Sequence, residues 1–97
     1  MIELSRPTRK RIQTVFPQNQ WSTVEDLLES RCGDNLPFVE PSHARLAERI
    51  RFAVLKLSQG DLAELQRQIE EAHVDWRDVL MVAGFGSDSS AHRRWKP

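Results

Sequence analysis

The middle of the chain, PSHARLAERIRFAVLKLSQG, carries the longest regular pattern of apolar positions. One stripe repeats at helical spacing and comprises Leu46, Ala47, Ile50, Ala53, Val54 and Leu57. Phe52 and Leu55 fall outside this stripe, on a side otherwise taken by charged residues. A helix that is apolar on more than one side is usually central, with neighbours on two faces. The pattern therefore predicts a central helix from about Ser42 to Leu57, around which the rest of the chain packs.

The first twenty residues combine a basic cluster with a short apolar pattern at Ile12, Val15 and Phe16. Proline is tolerated in a first helical turn, and a second proline ends a helix, so this pattern predicts a helix from about Pro7 to Phe16. Because Thr14 and Val15 are poor helix formers, a partly ordered basic arm over residues 1–20 is the alternative.

Three further helices are predicted by their boundary residues. Ser22 and Glu25 form the pattern of a capping box, preceded by Trp21, which is placed to pack against the helix entry. Asp61 repeats the box pattern directly after Gly60, which predicts a very short turn after the central helix. Asp75 begins another short helix that ends at Ala83, with Gly84 and Phe85 in the positions of a Schellman ending.

One or two final turns are predicted to end near Trp95. No convincing period-two stretch and no internal repeat interrupts these helical patterns. We therefore expect an all-α protein, a compact bundle of five or six short helices, with residues 1–97 forming a single helical domain.

Charge is balanced overall but not locally. Fourteen basic and fourteen acidic residues give a formal net charge of zero, which argues against a general polyanion binder. Basic residues predominate in residues 1–20, 41–60 and 81–97, whereas acidic residues predominate in residues 21–40 and 61–80. This alternation favours packing between neighbouring helices.

The sequence offers little for catalysis or metal binding. Cys32, the single cysteine, lies at a predicted helix C-terminus, where the helix dipole disfavours the thiolate. His43, His73 and His92 are not spaced as paired metal ligands, and no nucleotide-binding or hydrolase motif is present. We therefore expect no enzyme, no cofactor and no metal.

The cysteine content, the N-terminal segment and the length of the apolar runs indicate where the protein is located. The single cysteine fits a reducing compartment, the N-terminus lacks the apolar region of a signal peptide, and no apolar run is long enough to span a bilayer. We expect a cytoplasmic protein with no membrane association.

The function that we favour from the sequence is a non-enzymatic protein-interaction module that docks another protein or associates with itself. Met81 and Val82 lie outside the apolar stripe of their helix, and adaptable methionine near tryptophan and arginine is typical of interfaces. The predicted patch comprises Met81, Val82 and Phe85, with Arg94 and Trp95 at its rim.

The alternative function is a small DNA-binding regulator. The C-terminal segment loosely resembles a helix-turn-helix, although polar residues occupy its apolar positions, and Trp95 is available either to stack on a base or to cover the core. The basic N-terminus would contribute an arm. The nucleic-acid contacts expected on this hypothesis are Arg6, Arg9, Lys10, Arg11, Arg93, Arg94 and Lys96.

Overall fold

The N-terminal basic stretch forms a helix. A computed structural model describes residues 2–40 and 42–97, and its first helix, α1, spans Arg6–Val15. Ser5 caps this helix by accepting a hydrogen bond from the backbone N–H of Thr8, and Pro7 lies in the first turn, where its missing N–H costs nothing. The last helical residue is Val15, one residue before the predicted end, and Phe16 is the C-cap immediately before Pro17.

The second helix starts differently from the prediction. A short 3-10 turn at Gln18–Gln20 leads directly into α2, which spans Trp21–Arg31 and begins one residue before the predicted cap, Ser22. No side chain caps α2. Trp21 is therefore part of the helix, and its indole N–H donates to the carbonyl oxygen of Phe16 at 2.8 Å.

The central helix, α3, spans Ala44–Ser58 and packs against α1, α4 and α5. Phe52 and Leu55, the two residues outside the main apolar stripe, are fully buried, which confirms that neighbours cover this helix on more than one face. The first turn starts two residues later than predicted, after His43. Gln59 and Gly60 both adopt left-handed conformations at the end, and only glycine does so without strain.

The next two predicted helices are joined into α4, Leu62–Ala83, with a break at Asp75. Asp61 caps the start by accepting from the N–H of Ala63. Asp75 has extended backbone angles, φ −159° and ψ 99°, and its carboxylate accepts from the N–H of Arg77 at 3.0 Å. Asp75 thus caps the second half of α4 as it would cap an independent helix.

The C-terminus of α4 has the predicted Schellman geometry. Gly84 is left-handed with φ 85°, and the N–H of Phe85 donates to the carbonyl oxygen of Leu80 at 2.8 Å. Two cations of α3 also reach this end, since Arg49 donates to the carbonyl of Phe85 and Lys56 donates to that of Ala83. These contacts satisfy carbonyls that a helix end leaves unpaired.

The last helix, α5, is a single turn at Ala91–Arg94. The predicted fold class is confirmed: within residues 2–40 and 42–97 the protein has five α-helices and no β-strand, and they pack as a compact bundle around α3. None of these helices combines the length and apolar character needed to cross a membrane.

Candidate functional site

The two basic ends of the chain meet in one groove. Its volume is about 780 Å³, and five cationic side chains contribute to its lining. No aspartate or glutamate is among the lining residues that the structure describes. The groove is lined by Arg6, Pro7, Lys10, Arg11, Gln13, Thr14, Trp21, Arg93, Lys96 and Pro97.

One wall of the groove is the solvent face of α1. Arg6, Lys10 and Gln13 are spaced at i, i+4 and i+7, which places their side chains on the same side of a helix. The opposite side carries Thr8 and Ile12, which are fully buried. Because that side of α1 is buried, the cations on the opposite side face the groove.

Arg11 holds the C-terminal segment against α1. Its guanidinium donates to the carbonyl oxygens of Arg93 at 3.2 Å and Trp95 at 2.9 Å, and it lies 4.3 Å from the centre of the Phe52 ring. Burial lowers the pKa of Arg11 below its ordinary value. Arg11 therefore positions the second wall of the groove.

Glu48 of α3 connects both chain ends to the central helix, and it lines a second hollow beside Arg93 rather than the groove itself. Its carboxylate accepts from Ser5 Oγ at 2.8 Å, from His92 Nε2 at 2.9 Å and from Arg93 Nε at 2.8 Å. Because Ser5 uses its one hydroxyl proton on Glu48, the hydroxyl of Thr8 donates to Ser5 Oγ, 2.8 Å away. Burial by itself would raise the pKa of Glu48, but the hydrogen bonds from Arg93, Ser5 and His92 hold it below its ordinary value.

His92 fixes α5 to the core. Its ring is fully buried and packs edge-on against Phe52, with ring centroids 5.0 Å apart. Burial lowers the pKa of His92 and outweighs the opposing effect of Glu48, which favours the neutral imidazole at neutral pH. In that form Nε2 carries the proton that it donates to Glu48. Nδ1 is buried without a hydrogen-bond partner among the described residues.

Five of the seven residues predicted to contact nucleic acid line the groove: Arg6, Lys10, Arg11, Arg93 and Lys96. Arg9 instead forms a salt bridge with Glu25 of α2, and Arg94 pairs with Asp88 at 2.7 Å. Two of the predicted nucleic-acid contacts, Arg9 and Arg94, therefore pair with acidic residues of the same chain.

The helix-turn-helix resemblance does not extend to the structure. The candidate recognition helix is α5, which has four residues, and its His92 points into the core. Trp95 is half-buried and packs against Phe52 and Phe85, with centroids 6.2 and 6.3 Å away. Trp95 therefore covers the core, which was one of the two roles predicted for it, the other being to stack on a base.

The predicted interaction patch is smaller than expected. Met81 and Val82 are 70% and 73% exposed, but Phe85 is buried, because the Schellman ending of α4 turns it inward against the core. Trp95 is committed to the core as well, and Arg94 is paired with Asp88. Two further large apolar side chains are exposed, Phe38 at 89% and Val74 at 82%.

The residues most relevant to catalysis are buried or dispersed. Cys32 is fully buried, and burial raises the pKa of its thiol to about 12. Within residues 2–40 and 42–97, no three His, Cys, Asp or Glu side chains are grouped so that they could hold a metal ion. His73 instead forms a hydrogen bond, 2.7 Å long, between Nε2 and the carbonyl oxygen of Arg31.

The sequence did not reveal the buried contacts of Glu48 and Arg51, or that Trp21 lines the groove. Glu48 and Arg51 belong to the charged residues on the side of α3 that carries Phe52 and Leu55. Both are buried, and Arg51 donates to the carbonyls of Ile2, Glu3 and Cys32. A signal for Glu48 existed: it shares one helical face with Phe52 and Leu55 at i+4 and i+7. A charged residue on a buried face requires partners.

The fold and site define an all-α bundle with a basic groove between its first helix and its C-terminal segment. No family model, no curated protein and no solved structure matches this chain.

Proposed function

We propose that this protein is a non-enzymatic module that binds nucleic acid through the basic groove. The observation that supports it best is the convergence of cations from opposite ends of the chain in one groove that no described carboxylate side chain lines. The phosphate backbone of a nucleic acid is the ligand that a row of such cations attracts most generally.

Three of the groove cations form no ion pair within the part of the chain that the structure describes. Among the described residues, no side chain pairs with Arg6, Lys10 or Lys96, whereas Arg93 shares its charge with Glu48 and Arg11 is held by backbone carbonyls. Like charges placed close together repel each other and destabilise a folded chain slightly. An anionic ligand removes that repulsion, so these three side chains are the expected phosphate contacts.

The zero net charge is compatible with this proposal because the charges are segregated. The exposed side of α4 is acidic and carries Glu70, Glu71 and Asp78, while the groove is basic. A segregated field orients an approaching polyanion towards one face of a neutral protein.

Salt dependence tests the proposal. Three phosphate contacts predict that the logarithm of the association constant falls with the logarithm of salt concentration with a slope of about −2 to −3. We expect fluorescence anisotropy with mixed-sequence oligonucleotides, both single-stranded and duplex, to show this slope between about 50 and about 200 mM salt.

Matched variants make the test specific to the groove. Arg6→Gln and Lys10→Gln should each weaken binding several-fold and reduce the slope by about one unit. Arg77→Gln, which removes the same charge from the exposed side of α4, should leave both unchanged. Absence of binding to any oligonucleotide at low salt, or equal losses in all three variants, would remove the proposal.

The second candidate is the protein-interaction module, through self-association or docking of another protein. It is supported by the exposure of Met81 and Val82, which are 70% and 73% accessible on adjacent positions of α4. Sedimentation velocity from about 10 to about 100 µM tests self-association, because an interface of micromolar affinity is occupied in this range. A monomer at every concentration excludes self-association, and a dimer that Met81→Gln abolishes supports it.

A cytoplasmic location belongs to the same proposal. It is supported by the single cysteine, which is a buried free thiol. Disulfides are rare in reducing compartments, which a single unpaired cysteine fits.

A further inference from the structure

We infer that the groove takes single-stranded rather than duplex nucleic acid, with an unpaired base stacked on Trp21. This inference rests on the proposed function and makes it more specific. It depends on three features: the concave shape of the groove, its aromatic lining, and the lack of a projecting recognition helix among the described residues.

Trp21 is the aromatic side chain that lines the groove. Its indole N–H is held by the carbonyl oxygen of Phe16 at 2.8 Å, and the ring is only partly buried against the core. Lys10 and Arg6 of α1 line the same groove. An aromatic ring placed beside cations is the arrangement that binds bases by stacking and phosphates by charge, without regard to sequence.

A stacking role requires an unpaired base. In a duplex the faces of the bases are covered by their neighbours in the stack, so a ring at the bottom of a groove meets only the backbone. A single strand can turn a base towards Trp21 while its phosphates follow the cations. Arg6 and Lys10 are separated by one helical turn, a rise of about 6 Å, which distributes their charges along such a strand.

Duplex recognition is also hindered by the walls of the groove. Duplex-reading helices enter the major groove and therefore project from their domain. The segment 93–97 lies alongside α1, because Arg11 donates to the carbonyls of Arg93 and Trp95, and Trp21 also borders the groove that α1 lines. The segment 93–97 and Trp21 thus flank the cationic face of α1, whose side chains Arg6, Lys10 and Gln13 are themselves exposed. The one-turn helix α5 is anchored by His92 and cannot replace it.

The experiment compares three probes with the full chain. Fluorescein-labelled oligothymidylate and oligouridylate of about 12 nucleotides are titrated alongside a mixed-sequence duplex of the same length, at one low and one moderate salt concentration. We expect at least one single-stranded probe to bind about tenfold or more tightly than the duplex. The two single-stranded arms separate a DNA ligand from an RNA ligand.

Two substitutions of Trp21 distinguish stacking from packing. Trp21→Phe keeps an aromatic face, whereas Trp21→Leu keeps apolar volume without one, and both lose the indole hydrogen bond. We expect Trp21→Leu to weaken single-strand binding about tenfold and Trp21→Phe to weaken it much less. Circular dichroism verifies that both variants remain helical.

Intrinsic fluorescence gives a second readout that does not depend on affinity. The chain has three tryptophans, and only Trp21 lines the groove among the described residues. Saturating oligothymidylate should quench the wild-type emission, and Trp21→Phe should abolish this quenching even where the strand still binds.

Each result has a distinct meaning. Binding of the duplex at least as tightly as of both single strands, or wild-type affinity in Trp21→Leu, overturns this inference and leaves the proposed function in place. Failure of all three probes to bind at low salt overturns the proposed function and this inference together.

Discussion

The carboxylate of Glu48 accepts two hydrogen bonds from the guanidinium of Arg93, one from Nε at 2.8 Å and one from Nη2 at 3.2 Å. The two residues are separated by 45 positions in the sequence, and their side chains are 7% and 58% exposed. This pairing, together with His92 and Ser5 on the same carboxylate, connects the C-terminal segment and the start of α1 to the central helix. The basic groove therefore depends on one buried acidic residue.

Replacing Glu48 should destabilise the fold. Glu48→Gln removes the negative charge that Arg93 and Ser5 donate to, and it replaces one accepting oxygen with an NH2 group that can only donate. We expect the free energy of unfolding at neutral pH to fall by about 2 kcal/mol, measured by urea denaturation. Glu64→Gln is the control, because Glu64 pairs with Arg67 within the same exposed helix face, and it should change stability much less. Equal effects of both substitutions would show that Glu48 is not a connecting residue.

Stability should decline as the pH falls below neutrality. Because burial keeps the pKa of His92 below its ordinary value of 6.5, the unfolded chain binds a proton at a pH where the folded protein does not. The contribution of His92 is therefore complete above about 6.5 and is lost as the pH falls towards the folded-state pKa. Glu48 acts in the same direction at lower pH, because its pKa is also lowered.

The variant His92→Gln separates these two contributions. Between pH 7.5 and 5, where Glu48 remains largely ionised in both states, the unfolding free energy of the wild type should fall more than that of His92→Gln. Urea denaturation across this range measures the difference. A wild type that becomes more stable on acidification would mean that a charged imidazole pairs with Glu48, and that Arg49 and Arg93 do not prevent it.

Two left-handed glycines should differ in their tolerance of a side chain. A Cβ at Gly60 would lie 2.8 Å from the carbonyl oxygen of Val15, whereas at Gly84 the nearest atom is the flexible end of Lys56, 3.9 Å away. Both positions have φ near 80°, so alanine is strained at each. Gly84→Ala should reduce the unfolding free energy by about 1 kcal/mol, and Gly60→Ala by about 3 kcal/mol. Thermal or urea unfolding of the pair tests this, and equal losses would contradict the predicted clash.

Cys32 should be inert while the protein is folded. Its thiol is buried, and its pKa is raised to about 12, so the thiolate that reacts with disulfide reagents is scarce at neutral pH. We expect Ellman's reagent to label the native protein only as fast as it unfolds and to label it at once in denaturant. Rapid labelling without denaturant would show that Cys32 is accessible and would reopen a role as a nucleophile.

The helices were largely predictable from the sequence because their signals are local. The apolar stripe of α3, the cap at Asp61 and the ending at Gly84 and Phe85 all depend on residues within one or two turns of each other. Ser22 is the exception: its capping pattern is present, but the 3-10 turn before Trp21 already provides the first helical turn, so the helix starts earlier. The break at Asp75 was correctly placed by the same local reasoning.

The sequence alone determined an all-α chain, the position of its central helix and the identity of its cationic residues, because helical periodicity and capping act over short distances. Only the tertiary structure decided which cations share a site. Arg11 contacts backbone carbonyls 82 and 84 positions away, and Arg9 and Arg94 are neutralised by acidic neighbours that spacing does not reveal. The burial of Glu48 and the position of Trp21 were likewise set by packing between helices, because a residue's surroundings depend on elements that are distant in sequence.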